Sequence, residues 1–164
     1  MKKRIRTVLC RDIHDTWHRV RVSKLTGFRP SVYGVIINGN KVLLSPQFDG
    51  YDFPGGGIEL GETIEQALVR EVYEETGLHV KTGKLITVEN SFFKHWIKGK
   101  HTQTILMYYT ARVIDGRITT KNLAASERSY VKPAEWIDLK KVSKLKFYNP
   151  VDSPAIIRKA AATR

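Results

Sequence analysis

Between Arg70 and Gly77 the chain reads REVYEETG, which sets three glutamates, Glu71, Glu74 and Glu75, within five residues of a protein whose formal charge is +12. Carboxylates three and four apart meet on a helix surface, where each pair repels by a few tenths of a kcal/mol (~0.2–0.5) in water and by more where solvent is excluded. At about 100° per residue from Ile64, Ala67, Leu68 and Val72 fall near about −60°, 40° and 80°, while Glu71 and Glu75 fall near about −20° and 20°. Two glutamates therefore lie inside the apolar stripe, where a solvated charge run would not be. Arg70 reaches Glu74 one turn on, but the wheel turns it away from the Glu71 and Glu75 side. A cation is needed to offset the group, and hard oxygen ligands without Cys or His favour Mg²⁺ or Mn²⁺ over zinc.

The elements that must position these carboxylates are legible around them. Thr63 to Thr76 carries helical spacing, Thr63-Ile64-Glu65-Gln66 has the form of a capping box, and Gly77 stands where a C-terminal cap belongs. Ahead of the helix, QFDGYDFPGGGIELGE is rich in Gly and Pro and reads as a loop whose glycines bring backbone groups close to a ligand. It lacks the spacing of a P-loop or of a dinucleotide fingerprint. Earlier still, SVYGVII and KVLLSP read as strands joined by an Asn-Gly turn at Asn38-Gly39-Asn40. KLITVENSFF, TQTILMYYTARV and EWIDL read as further strands, and a short helix follows Asp152 or Ser153 with Pro154 in its first turn. Mixed strands with two helices predict a sheet covered by helices on its faces.

The 164 residues fit a single domain, with a basic segment over 1–29 and a core over about 30–164. Residues 1–29 hold nine Lys and Arg against Asp12 and Asp15, a net +7 that admits nucleic acid as a partner besides a nucleotide-like small molecule. With 41% hydrophobic and 27% charged residues the chain is not expected to be disordered, and its apolar runs are too short to span a membrane. Arg11 and Asp12 cut off the apolar part of a signal-like N-terminus, and a single cysteine, Cys10, excludes an internal disulfide, so a cytoplasmic location is expected. His14 and His18 stand four apart beside Asp15, a spacing that on a helix would chelate a metal, although two histidines without a third ligand are more often exposed. Trp17 is expected to pack the N-terminal segment onto the sheet or to make a dimer contact. Over 91–103 the segment SFFKHWIKGKHTQ mixes Phe93 and Trp96, which could stack a base, with Lys94, which could meet phosphate.

From Gly56 to Leu78 the chain reads GGIELGETIEQALVREVYEETGL. This resembles the Nudix box, G-x5-E-x7-R-E-U-x-E-E-x-G-U, at every fixed position: Gly56, Glu62, Arg70, Glu71, Val72, Glu74, Glu75, Gly77 and Leu78. Such agreement arises by chance about once in 10⁹ starting points. The resemblance implies an α/β fold, the Nudix-type α/β/α sandwich with a mixed central sheet. It implies a Mg²⁺-dependent (or Mn²⁺-dependent) hydrolase that cleaves a diphosphate bond in a nucleoside diphosphate linked to X or in a nucleoside triphosphate. RNA 5′-end hydrolysis and a non-catalytic nucleotide- or nucleic-acid-binding regulator are the alternatives. On the family pattern Glu74 and Glu75 bind metal, Glu71 binds metal or acts as general base, and Arg70 and Glu62 orient the catalytic carboxylates. A Gly55 carbonyl joins the metal, a later-loop acid, here Glu127, completes the catalytic set, and a homodimer is compatible with the family.

Overall fold

The computed structural model describes residues 6–12, 14–48, 50–94, 100–123 and 131–163. Alternation of apolar residues along its central strands sorts the core into two layers. In β3 (Gly27–Asn38), Val32 and Ile36 face one side and Tyr33 and Val35 the other; in β4 (Lys41–Gln47), Leu43 opposes Val42 and Leu44. Successive strand residues point to opposite faces, so each strand supplies both layers.

On one face Val32, Ile36 and Leu43 pack against Ala67, Leu68 and Val72 of α1 (Ile64–Thr76). On the other, Tyr33, Val35, Val42 and Leu44 pack against Ile156, Ile157 and Ala160 of α2 (Ser153–Ala162). This is the expected α/β/α sandwich.

The sheet is mixed. In chain order its other strands are β1 (Thr7–Arg11), β2 (Trp17–Arg21), β5 (Gly50–Asp52), β6 (Gly55–Gly57), β7 (Leu78–Lys94), β8 (His101–Gly116) and β9 (Glu135–Asp138). The spatial order is β2-β1-β7-β8-β3-β4-β5, with β6 also paired to β3 and β9 to β4. β3 runs parallel to β8 over ten residue pairs, Gly27–Thr102 to Ile36–Ala111, and β7 and β8 form one long antiparallel hairpin. Asn38 and Lys41 close the predicted Asn-Gly turn, with Gly39 at φ 56°.

Both helices begin, and α1 ends, where the sequence predicts. Thr63 accepts from the Gln66 N–H while the Gln66 side chain accepts from the Thr63 N–H, and Gly77 caps the C-terminus at φ 74°. Asp152 accepts from the Ala155 N–H at the start of α2.

Two expectations are corrected, and the disfavoured reading of the histidine pair is not realised. The Gly-rich stretch before α1 is not only loop: Gly50–Asp52 pairs with β4, and Gly55–Gly57 pairs antiparallel with Ser31–Tyr33. Backbone pairing needs no side-chain period, so a run of glycines conceals a strand. His14 and His18 lie on a turn and a strand rather than a helix, and His18 Nε2 meets Asp12 Oδ2 at 2.7 Å. Trp17 is 53% exposed, so it does not pack the N-terminal hairpin onto the sheet.

Candidate active site

The second half of α1 and strand β6 bring the box residues together around one guanidinium. Arg70 forks onto Glu62, with Nε donating to Oε1 at 2.6 Å and Nη2 to Oε2 at 2.9 Å. Nη2 also donates to the Gly57 carbonyl at 3.0 Å, and Nη1 reaches Glu71 Oε1 at 3.0 Å and Glu74 Oε2 at 3.1 Å. The wheel direction of Arg70 is thus corrected. A side chain of four bonds can swing around the helix, so the guanidinium touches Glu71 although its Cβ points elsewhere. Such a bidentate fork is among the stronger ion-pair geometries. It holds the Glu62 carboxyl down at about 2 and raises the Arg70 pKa.

Glu71 is mostly buried, with 12% of its side chain exposed, and desolvation raises its pKa even though Arg70 pulls the other way. Its carboxylate rests on the α-carbon of Gly56: a Cβ added there would lie 2.6 Å from the carboxyl carbon and from both oxygens. Glu75 is 9% exposed and accepts at Oε2 from the Gly55 N–H at 3.2 Å and from Ser45 Oγ at 3.4 Å. Gly55 adopts φ 151°, and a side chain on it would strike the Val32 carbonyl and the Tyr33 α-carbon. Glu74 is the most open of the three, with 39% of its side chain exposed.

Among the described residues no three acidic, imidazole or thiol groups converge as a finished ion cage. Glu71 and Glu74 each spend an oxygen on Arg70, and Glu75 one on Gly55. The donor set nonetheless fits a hard divalent cation. Glu62, Glu71, Glu74 and Glu75 carry four formal negative charges against the guanidinia of Arg70 and of Arg29, which lies over Gly57. The two charges left over equal those of one Mg²⁺, and every available ligand atom is oxygen.

Of the other predicted residues, Phe93 sits with its ring 6.0 Å from Tyr148, which stacks on Phe48 at 5.0 Å. Lys94 lines a groove beside the N-terminal hairpin. Trp96 and Glu127 lie outside the described residues. Glu135 is an exposed residue at the start of β9.

Two features escaped the sequence reading. Arg29 stands alone ahead of an apolar strand, and only the β3–β6 pairing brings it over Gly57. Asp52 is 2% exposed, accepting from the Phe53 N–H at 2.8 Å, from Asn149 Nδ2 at 2.7 Å and from Gln47 Nε2 at 3.3 Å. Burial pushes its carboxyl up to about 7; burial first, and the Asp52 charge after it, raises the pKa of Tyr33 and Tyr108. The one sequence signal was an aspartate flanked by Tyr51 and Phe53.

Among curated proteins the chain is similar to the RNA pyrophosphohydrolase of Psychromonas ingrahamii, 43% identical over 77 residues that make up 45% of this chain and 40% of that protein. It is likewise 36% identical to the RNA pyrophosphohydrolase of Pasteurella multocida over 94 residues, 56% of this chain and 46% of that one. The match thus spans less than half the length of these relatives. Among solved structures, a NUDIX hydrolase from Nitrosomonas europaea superimposes with a TM-score of 0.65 at 20% identity, covering 82% of this chain and 89% of that one. An ADP-ribose pyrophosphatase from Streptococcus suis gives 0.62 at 17% identity, covering 83% and 92%. The NUDIX domain profile matches residues 27–158, a span that contains the whole box and the strands and helices that carry it, and the chain belongs to that family.

Proposed function

We propose that this protein is a divalent-metal-dependent pyrophosphohydrolase that cleaves a diphosphate linkage in a nucleotide-containing substrate. The observation that carries the reading is the seat of Glu71: a carboxylate removed from water, pressed onto a glycine α-carbon and flanked one turn on by Glu74 and Glu75. A chain that needed these glutamates only for solubility would not bury Glu71 and Glu75.

Glu74 and Glu75, with a backbone oxygen of Gly55, are the ligands that would hold Mg²⁺ or Mn²⁺. When bound, the cation neutralises the diphosphate and lowers the pKa of the attacking water. Glu71 takes the proton of that water or joins the ligand set. Arg70 holds Glu71 and Glu74 in place, and Glu62 in turn holds the Arg70 fork. Ser45 and the Gly55 N–H hold Oε2 of Glu75 in place against β6.

The names of the curated relatives and the basic N-terminal segment favour the 5′ end of RNA as one such substrate. The other reading takes a free nucleotide or nucleoside diphosphate derivative as the substrate. The test is a hydrolysis panel of ADP-ribose, nucleotide sugars, dinucleoside polyphosphates, normal and oxidised deoxynucleoside triphosphates and 5′-triphosphorylated RNA, with and without EDTA. Glu75→Gln keeps shape and burial, so it should melt like wild type while turnover drops by about 10² or more. Release of no product by wild type on any substrate would favour the binding-regulator reading, and a Glu75→Gln enzyme of normal rate would remove Glu75 from the site.

A further inference from the structure

The β1–β2 hairpin precedes the segment matched by the family profile, and among the described residues the ion pairs of Arg70 with Glu62, Glu71 and Glu74 do not involve it. A groove of about 480 Å³ opens beside it, lined by His18, Arg19, Arg21, Lys24, Lys94 and His101, with Val20 and Thr26 completing the wall. Four of these side chains are Lys or Arg, and among the described residues no acid lines the groove. The nearby carboxylates are already engaged, Asp12 by His18 at 2.7 Å and Asp15 by Arg11 at 2.6 Å. Among the described residues Arg21, Lys24 and Lys94 form no ion pair. Cations gathered along one concave surface repel each other and draw in a polyanion; cations serving only solubility would be interspersed with acids.

The groove is also joined to the candidate active site by a single strand. Thr26 lines it and donates its N–H to the His101 carbonyl at 2.8 Å. Three residues further along β3, Arg29 places its guanidinium over Gly57, whose carbonyl accepts from Arg70. At about 3.3 Å per residue, the wall of the groove and the edge of the carboxylate cluster are roughly 10 Å apart. The groove and the candidate site thus lie along the same stretch of chain, with the Arg29 guanidinium at the edge of the site.

We propose that this groove holds the phosphodiester backbone of a single-stranded RNA whose 5′ end lies at the glutamates, an inference that rests on the proposed hydrolase reading. Backbone contacts of this kind position a strand without reading its sequence. A mononucleotide fills the site and leaves the groove empty. The hairpin then acts as a selectivity element, favouring a polymer end over a free nucleotide through binding rather than through chemistry.

The experiment uses the full chain and a fluorescent 5′-monophosphorylated RNA of about 12 nucleotides, a product-like probe that reports binding without turnover. Kd is measured across a salt series for wild type, for Arg21→Glu/Lys24→Glu and for the milder Arg21→Gln/Lys24→Gln, with melting curves to confirm folding. Each phosphate contact on a single strand contributes about 0.7 to the slope of log Kd against log salt, so losing two should flatten it by about 1.4. The charge-reversed variant should also weaken binding at least about tenfold at low salt, with the neutral variant between. An unchanged slope and Kd would overturn the proposal, as would a wild type that binds phosphatidylserine vesicles or acidic peptide but no RNA. These outcomes do not depend on catalysis: if wild type hydrolysed nothing in the panel the hydrolase reading would fall, while the salt slopes would still decide whether the groove takes RNA.

Discussion

Replacing Gly56 with alanine separates the fold from the chemistry more cleanly than removing a glutamate does. The added methyl would sit 2.6 Å from the Glu71 carboxyl carbon and oxygens, against an ordinary contact of 3.4 Å, so the carboxylate must retreat by about 0.8 Å. Gly56 does not use positive φ, and the obstructing atoms are the end of a flexible side chain, so the backbone accommodates alanine. Overpacking of this kind costs about 1–3 kcal/mol. For a chain of this size that lowers Tm by roughly 2–12 °C. A displacement near 1 Å in a positioned catalytic group costs about 10² in rate. Gly56→Ala should therefore remain folded by circular dichroism and melt cooperatively, with kcat down about 100-fold on whichever substrate wild type turns over. Gly55→Ala is the contrasting control: there the methyl meets backbone of β3 and a φ of 151°, and the protein should fold poorly or not at all. A folded Gly56→Ala enzyme with kcat within about threefold of wild type would refute the claim that the seat of Glu71 matters to the reaction.

Arg70→Lys keeps the charge but loses the planar fork that serves Glu62, Glu71, Glu74 and the Gly57 carbonyl together. With the pair only partly buried, the expected cost is about 2 kcal/mol, a Tm lower by roughly 4–8 °C, and kcat should fall at least about tenfold; a melting curve and rate equal to wild type would contradict that role. For Asp52 the folded carboxyl titrates at about 7 against an ordinary 3.8, because burial outweighs the Phe53 N–H and the Arg11 charge. The folded protein then holds a proton that the unfolded chain has released, so this group's contribution is fully present below pH 4 and is lost as pH rises through 7, a change of about 4 kcal/mol. Urea midpoints for wild type and Asp52→Asn should converge or cross over that window, and parallel profiles from pH 4 to 8 would show that Asp52 is ionised in both states.

How far the sequence carried depended on whether the determining interaction was local. The caps of α1 and α2 and the Asn-Gly turn rest on residues within four positions of each other, and all stand as the spacing predicts. Placement of Glu71 and Glu75 on the packed side of α1 was equally local, because the wheel needs only the helix. The reach of Arg70 was not, since its contacts to Glu62 and Gly57 cross from the helix to the preceding loop and to β6. Strand β6 itself was hidden because it is stabilised by pairing with β3, a partner more than twenty residues earlier, and carries no side chains to show a period. The same pairing brings Arg29 to the site, and the approach of Asn149 to Asp52 spans 97 positions. No pattern within a window of ordinary length encodes such meetings.

Burial of carboxylates on α1 makes sense only when the two halves of the helix are weighed together. Its first half inserts Ala67, Leu68 and Val72 into the layer built by Val32, Ile36 and Leu43. Full burial of a leucine or valine contributes roughly 1.5–3 kcal/mol each. Taking an ion out of water costs several kcal/mol even after the protein relaxes, so the glutamates of the second half would leave the packed side if the helix were free to rotate. It is not free: the apolar residues share the stripe with Glu75, and turning one out would expose the others. The sheet fixes the remaining coordinate, because the Gly55 N–H that receives Glu75 belongs to a strand zipped to β3, and β3 is held along ten residue pairs by β8. The carboxylates are thus positioned by hydrophobic packing and backbone pairing, and the proposed divalent cation would relieve a repulsion that the fold has already imposed.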